Sequence, residues 1–329
     1  MKPLAPLLAD DWVLALRGPR NAVSADRPYA FLVEPERSAD GRLVDVATIF
    51  LTNRVCPFRC VMCDLWKNTL EESVRPGQIA EQLRWALGEL RSRNPAGSAQ
   101  HLKLYNAGSF FDPRAIPPDD FPTIAELAAP FERLIVECHP RLVGRRCFEF
   151  HELLRGALRS AGSVSRLNGP ALEVAMGLET VHPEVLARLN KQMTLDDFAQ
   201  AARRLRDAGI AVRAFIMVRP PFLSDAEGLD WAQRSLDFAF SVGVECCSLI
   251  PTRGGNGAME ELAANDQFAP PSLESLEAAL EYGLSLRAGR VFLDLWDIDK
   301  VSPDAPNRAA RIDCLGRMNL SQECEEKPG

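Results

Sequence analysis

No stretch of this sequence is apolar over the roughly 20 residues needed to span a bilayer, and the N-terminus lacks a basic segment followed by a long apolar one. Neither a membrane span nor a secretory leader is expected, and a cytoplasmic protein is. The chain also lacks a basic excess: 38 Lys and Arg face 45 Asp and Glu, a formal net charge of −7. Nucleic-acid affinity rests on neutralising phosphates with cations, so this balance speaks against direct nucleic-acid binding without a partner subunit, while leaving room for a local basic patch. Six of the nine cysteines, Cys138, Cys147, Cys246, Cys247, Cys314 and Cys324, lack the even spacing of a secreted disulfide scaffold. A reducing compartment suits them.

The other three cysteines are concentrated. Cys56, Cys60 and Cys63 stand in the spacing C-x3-C-x2-C directly after the apolar run 46–51. Thiolates this close on a loop containing Pro57 can ligate three corners of a four-iron, four-sulfur cluster, and the missing fourth cysteine leaves one iron open to a small molecule. A structural zinc site would need a fourth ligand from a second C-x2-C or H-x3-H pair, and none lies nearby. Three metal-free thiols would pack as small apolar groups, which the polar surroundings of Asn53, Arg54 and Lys67 disfavour.

The segment Cys56-Pro57-Phe58-Arg59-Cys60-Val61-Met62-Cys63 resembles the signature of the radical S-adenosylmethionine (SAM) superfamily, with Met62 where many members carry an aromatic residue. In that family the open iron chelates the amino and carboxylate groups of SAM. The resemblance implies a 4Fe-4S cluster and SAM as cofactors, and an electron donor such as flavodoxin or ferredoxin.

A chain of 329 residues, 47% apolar, fits one large α/β domain better than three small ones. Apolar runs at 46–52, 102–106, 134–138, 172–178, 212–218 and 244–250 read as strands, and helical spacing appears at 76–93, 148–160, 195–208 and 226–242. Six β/α units predict a parallel sheet with helices outside, as in the partial (β/α)6 TIM-like barrel of this superfamily; a doubly wound open sheet is the competing topology. Residues 1–45 read as an N-terminal extension, 46–288 as the partial barrel and 289–329 as a C-terminal strand and tail.

Either topology puts ligands at the C-terminal ends of the strands. After the second strand, Asn106-Ala107-Gly108-Ser109 is a small-residue loop offering carbonyls and a hydroxyl. It stands where the superfamily has a Gly-Gly-Glu element; lacking the glutamate, it keeps the implied role of contacting the SAM amino group. Glu137, ending the third strand, is the candidate for the ribose hydroxyls, while the adjacent Cys138 and His139 read as packing and a capped turn. After the fourth strand, the resemblance gives Gly177 a close approach to adenine and points Glu179 into the mouth. Residues 182–190 read as a short helix, and Lys191 beyond it either meets the SAM carboxylate or is a solvated lysine near a helix C-terminus.

The segments around Glu137, Gly177, Pro220-Pro221-Phe222-Leu223 and Arg253-Gly254-Gly255-Asn256 resemble the archaeosine synthase radical SAM subunits and their uncharacterised relatives, over about residues 48–280. That family cleaves a C–N bond on a lysine-bearing deazaguanine base in transfer RNA, working with a separate transglycosylase-like subunit. The sequence does not itself separate a modified nucleobase from a peptide or a natural-product intermediate. Arg219, Arg253, Asn256, Asp294 and Asp297 are left to face substrate, with Arg219 either orienting it or pairing with an acidic tail residue such as Asp294. The tail pattern 291–299 predicts a final edge strand, with Cys314 and Cys324 as surface thiols rather than ligands of a second cluster. The expected function is reductive cleavage of SAM followed by hydrogen abstraction from a substrate; the alternative is an iron-sulfur redox-sensing or binding protein.

Overall fold

The computed structural model describes residues 8–93, 99–160 and 169–326. One sheet organises it, with strands β1 (Ala30–Arg37), β2 (Leu43–Leu51), β3 (His101–Asn106), β4 (Arg133–Glu137), β5 (Ala171–Glu179), β6 (Ala211–Val218), β7 (Cys246–Pro251) and β8 (Arg290–Leu293). Their spatial order is their sequence order, β1 through β8. Only β1 is antiparallel; β2 to β8 run parallel. A doubly wound sheet reverses its strand order at a switch point, and this one never does, so the partial barrel is the architecture.

The helices are α1 (Asp10–Ala15), α2 (Gln78–Arg93), α3 (Phe121–Ala128), α4 (Arg145–Ser160), α5 (Pro183–Arg188), α6 (Leu195–Asp207), α7 (Asp225–Ser241), α8 (Ala258–Ala264), α9 (Leu273–Ser285) and α10 (Arg308–Ser321). Local chemistry starts several of them. Capping boxes, Thr194 with Asp197 and Ser224 with Glu227, begin α6 and α7, and the Asp120 carboxylate accepts from the backbone N–H groups of Gly77, Ile79 and Ala80 to begin α2. Along each strand alternate side chains such as Leu102 and Leu104, Leu134 and Val136, or Val212 and Ile216 join the core under the helices. None of the helices among the described residues is long and apolar enough to cross a membrane.

The alternate positions on the other face build a charged floor. Glu36 of β1 accepts from Lys103 and from Arg213 at 2.6 Å, and Glu173 accepts from Arg213 at 2.7 Å, Arg133 at 3.1 Å and Arg290 at 3.3 Å. Burial alone would raise the Glu173 carboxyl, but the Arg213, Arg290 and Arg133 guanidiniums reverse that and hold it down at about 2. Arg290 of β8 also lies 3.8 Å from Glu36, so side chains from the first and last strands meet and the sheet is curled.

The segment ahead of the predicted first strand contains β1, which pairs with all of 43–50. The predicted tail strand is shorter than its pattern, because the chain turns at Asp297, φ 54, into the short helical turn Ile298–Lys300. Nor is β8 a free edge. Asn319 and Gln322, at the C-terminal end of α10, donate to and accept from the backbone of Leu293 and Val291, all at 2.8 Å, as a neighbouring strand would. Cys314, expected at the surface, is accordingly buried on α10, while Cys324 is exposed.

Removing one partner of a buried charge network strands the others, at a cost of about 3–5 kcal/mol, whereas an exposed pair such as Arg20–Glu71 contributes about 0–1 kcal/mol. Glu173→Leu, which leaves three guanidiniums without their shared carboxylate, is expected to lower urea-unfolding stability of the cluster-free protein by the larger amount and Arg20→Ala by the smaller; equal losses would show that the floor does not hold the fold.

Candidate functional site

The loop carrying Cys56, Cys60 and Cys63 leaves the C-terminal end of β2 and has little hydrogen bonding of its own, chiefly Cys63 N–H to the Cys60 carbonyl at 3.3 Å. Other loops hold it. The Asn256 side-chain amide, past β7, donates to the carbonyls of Val61 at 2.7 Å and Cys63 at 3.2 Å, while its oxygen accepts from Met259 N–H at the start of α8. The Asn190 amide, past α5, donates to the Arg59 carbonyl at 2.9 Å, and Val61 N–H reaches the Leu189 carbonyl. From the end of β4, the His139 ring stacks on Phe58 with centroids 3.7 Å apart and planes at 13°. Its Nδ1 accepts from Arg141 N–H, so Nε2 carries the proton and donates to the Lys191 carbonyl at 3.0 Å. Burial, helped by the Lys191 charge, depresses His139 to about 3, keeping the ring neutral.

The three cysteines are half-buried and bear no disulfide. Burial pushes the Cys56 thiol up to about 11 and those of Cys60 and Cys63 to about 12. Among the described residues no three His, Cys, Asp or Glu side chains converge on one single-ion position. A four-iron cluster spreads its ligands over separate irons and asks for no such convergence.

Around this loop the predicted ligand-facing residues are brought together, with altered roles. Gly108, at φ +128, stands so close to Cys56 that a Cβ there would lie 3.0 Å from the Cys56 Cβ and 3.2 Å from its sulfur. Ser109 is buried, and its hydroxyl donates to the Cys138 sulfur and accepts from Phe111 N–H, so the hydroxyl predicted to face SAM is engaged elsewhere. Asn106 is the more telling member. Both heteroatoms of its buried carboxamide lack a hydrogen-bond partner, as do the Asn53 Oδ1 and Thr52 Oγ1 next to the cysteine loop, and polar atoms buried without partners are costly. They fit a site that takes a polar ligand.

Glu137 accepts from Asn106 N–H at 3.1 Å. Burial outweighs that hydrogen bond and the Lys191 charge and pushes its carboxyl up to about 8. A bulge between Gly177 and Glu179 turns Glu179, φ 67, inward, where it accepts from Lys191 Nζ at 2.7 Å with both groups nearly buried. Lys191 is therefore not a solvated lysine. Burial works against its charge, but Glu179 and the thiols of Cys60 and Cys56 raise its pKa. A Cβ on Gly177 would strike Glu179 and Lys191, so its missing side chain makes room for this ion pair.

The substrate-facing set divides. Arg219, φ 55, donates to the Pro270 carbonyl at 2.6 Å and lies 3.6 Å from Asp225, so its ion pair is with α7 and not with the tail. Arg253 is the partner of Asp294 and also donates to the Trp296 carbonyl. Asn256 is buried beneath the cysteine loop, and Asp297 pairs with Lys300. The aromatic wall was not anticipated: Phe50 lies 5.6 Å from Tyr29, 6.3 Å from Tyr105 and 6.4 Å from Trp296, and Tyr105 lies 6.1 Å from Phe215. Period-two alternation places Phe50, Tyr105 and Phe215 on the face opposite the helices, a signal that was available in the sequence.

This curled parallel sheet, with a three-cysteine loop after its first parallel strand, is the fold of the radical SAM proteins. Streptococcus suis SuiB has it with a TM-score of 0.51 at 12% identity, over 79% of this chain and 52% of that one. In sequence the chain is similar to an uncharacterized protein of Methanocaldococcus jannaschii, 20% identical over 78% of this chain and 69% of that protein. It is also similar to archaeosine synthase subunit beta of Methanosarcina acetivorans, 26% identical over 53% of this chain and 48% of that subunit. The resemblance read from the cysteine motif is borne out. No protein-family model matches the chain.

Glu137 also predicts a pH effect. Below its usual 4.5 the carboxyl is protonated folded or unfolded; between 4.5 and about 8 only the unfolded chain ionises, so stability falls as pH rises, and above about 8 the loss is complete. Glu137→Gln should therefore gain stability over wild type progressively from pH 4.5 to 8 and hold that gain at pH 9, in urea titrations of the cluster-free protein. A difference that does not vary with pH would contradict the raised carboxyl.

Proposed function

We propose that this protein is a radical SAM enzyme acting on a small ring-bearing substrate, such as a modified nucleobase or a natural-product intermediate. The observation that carries the reading is the cysteine loop itself, set at the mouth of a parallel strand and gripped by side chains from beyond β4, α5 and β7. Cys56, Cys60 and Cys63 would hold a 4Fe-4S cluster. Such a cluster would supply the electron for reductive cleavage of SAM, the chemistry that initiates hydrogen abstraction from a substrate.

The chain's own residues bind and orient. Asn106, with its unsatisfied carboxamide, and the backbone at Gly108 would meet the amino group of SAM, Ser109 serving by packing against Cys138. Glu137 would accept from the ribose hydroxyls, and ligand donors there would favour the ionised carboxylate that burial now opposes. The Glu179–Lys191 pair over Gly177 would set the polarity beside the methionine carboxylate, with Lys191 as its cation. Facing them, Tyr29, Phe50, Tyr105 and Phe215 form a wall suited to a flat apolar ring, and Arg253 with Asp294 supplies a polar rim. Arg219 would fix the chain leaving β6 through the Pro270 carbonyl and Asp225. A sensor needs the cysteines alone; the unsatisfied carboxamide and the raised Glu137 favour catalysis. By analogy with the subunit beta relatives, a partner subunit belongs to the proposal, as does an electron donor such as flavodoxin or ferredoxin.

Anaerobically reconstituted wild type is expected to hold about four irons per chain, and the triple Cys56, Cys60 and Cys63→Ala variant none; full retention of iron in the variant would sink the assignment. Glu137→Ala should weaken SAM binding by about 1–3 kcal/mol in calorimetry, the cost of leaving ribose hydroxyls without their acceptor. Unchanged affinity would remove Glu137 from the site.

A further inference from the structure

The residues ahead of β1 lie against the cysteine loop and are fixed to it on both sides of Arg17. Before it, Asp10 accepts from the side chains of Asn190 at 2.7 Å and Gln192 at 3.3 Å, and Val13 packs in one cluster with Val61 and Met259. The strap comes so close to the loop after β7 that a Cβ on Gly257, φ +87, would collide with the Leu16 carbonyl. After Arg17, Asn21 N–H donates to the Lys67 carbonyl and its side chain to Asn68, both at 2.8 Å. Contacts on both flanks therefore tie the segment carrying Arg17 to the cysteine loop and its neighbours.

The guanidinium of Arg17 sits over the Trp66 ring, 5.0 Å from its centroid, three residues past Cys63. Its Nε is buried with no hydrogen-bond partner among the described residues. Burial lowers its pKa, as do two more cations, Arg59 and Arg20, while thiolates at Cys63 and Cys56 would raise it. The other cations near the triad are engaged: Lys191 by Glu179, and Arg59 by the carbonyls of Cys56 and Phe58. A planar donor placed among like charges, with no carboxylate paired to it among the described residues, calls for an anion that forms only when the site is filled.

We propose that Arg17 is the charge partner of the cluster held by Cys56, Cys60 and Cys63, donating toward its thiolate and sulfide face and raising its reduction potential. This rests on the cluster reading above. Iron-sulfur potentials follow the net charge around the cluster and the hydrogen bonds to its sulfurs, and a nearby cation favours the reduced, more negative form. Its removal should make the cluster harder to reduce.

The experiment is a spectroelectrochemical titration of anaerobically reconstituted wild type, Arg17→Lys and Arg17→Met without SAM, with iron counted in each. Equal iron, a potential more negative than wild type in Arg17→Met and an intermediate one in Arg17→Lys are expected. Full iron at an unmoved potential in Arg17→Met would overturn the proposal, because a merely structural arginine leaves the potential alone. Should Arg17→Met take up no iron, Arg17→Gln decides: it removes the charge but keeps a planar donor, so a potential more negative than wild type supports the role and an unmoved one rejects it. A wild type that itself holds no iron overturns the cluster reading instead, which separates the two failures.

Discussion

Two buried carboxylates, Glu36 and Glu173, hold four cations, Lys103, Arg133, Arg213 and Arg290, on the inner face of the sheet. These six residues come from six strands, and through them β8 is joined to β1 and to β5 without any backbone pairing. A flat sheet would keep Glu173 beside Arg133 and Arg213 on the neighbouring strands but would part Glu36 from Arg213 and Arg290, and Arg290 from Glu173, so the whole network is satisfied only in a curled sheet. That curvature aims the C-terminal ends of the parallel strands at a common space. The amide side chains of Asn319 and Gln322 complete the arrangement by occupying the last strand's open edge.

Given that geometry, the cysteine loop has to be shaped from outside. It lacks regular backbone pairing, and each grip on it comes from a different crossover: Asn256 on two carbonyls, Asn190 on one, His139 on the face of Phe58. Such side chains rigidify a loop because each leaves a buried polar group unsatisfied if the loop moves. The N-terminal strap adds a further layer, since Asp10 shares Asn190 with the loop. Positions of the three sulfurs are thus set jointly by segments spread through most of the chain.

The parallel strands were legible as apolar runs because both faces of such a strand are covered. β1 was not, since Val33, Glu34 and Pro35 are exposed and a proline is tolerated in an edge strand. The triad was legible from spacing alone. Asn190 and Asn256 were not read as supports for it, because they lie 131 and 195 residues from the carbonyls they hold, and a single amide at such separation leaves no periodicity to read. Ser109 misled for a related reason: its loop was placed correctly, but whether a hydroxyl faces a ligand or a neighbouring thiol depends on packing against Cys138, which adjacent residues do not encode.

Net charge hides where the charge is. The chain as a whole is at −7, yet the inner floor carries four cations against two carboxylates, and Arg17, Arg59 and Lys191 cluster about the cysteines. The acidic excess therefore lies elsewhere, largely on the outside. A polyanion approaching from solvent meets that exterior first, whereas under the proposed function a compact ligand at the mouth would meet the Arg253–Asp294 pair and the exposed ring of Trp296 before the cations within. Under the proposed reaction this asymmetry is what a small ring-bearing substrate requires, and it leaves any larger nucleic acid to be presented by a partner whose own surface supplies the missing positive charge.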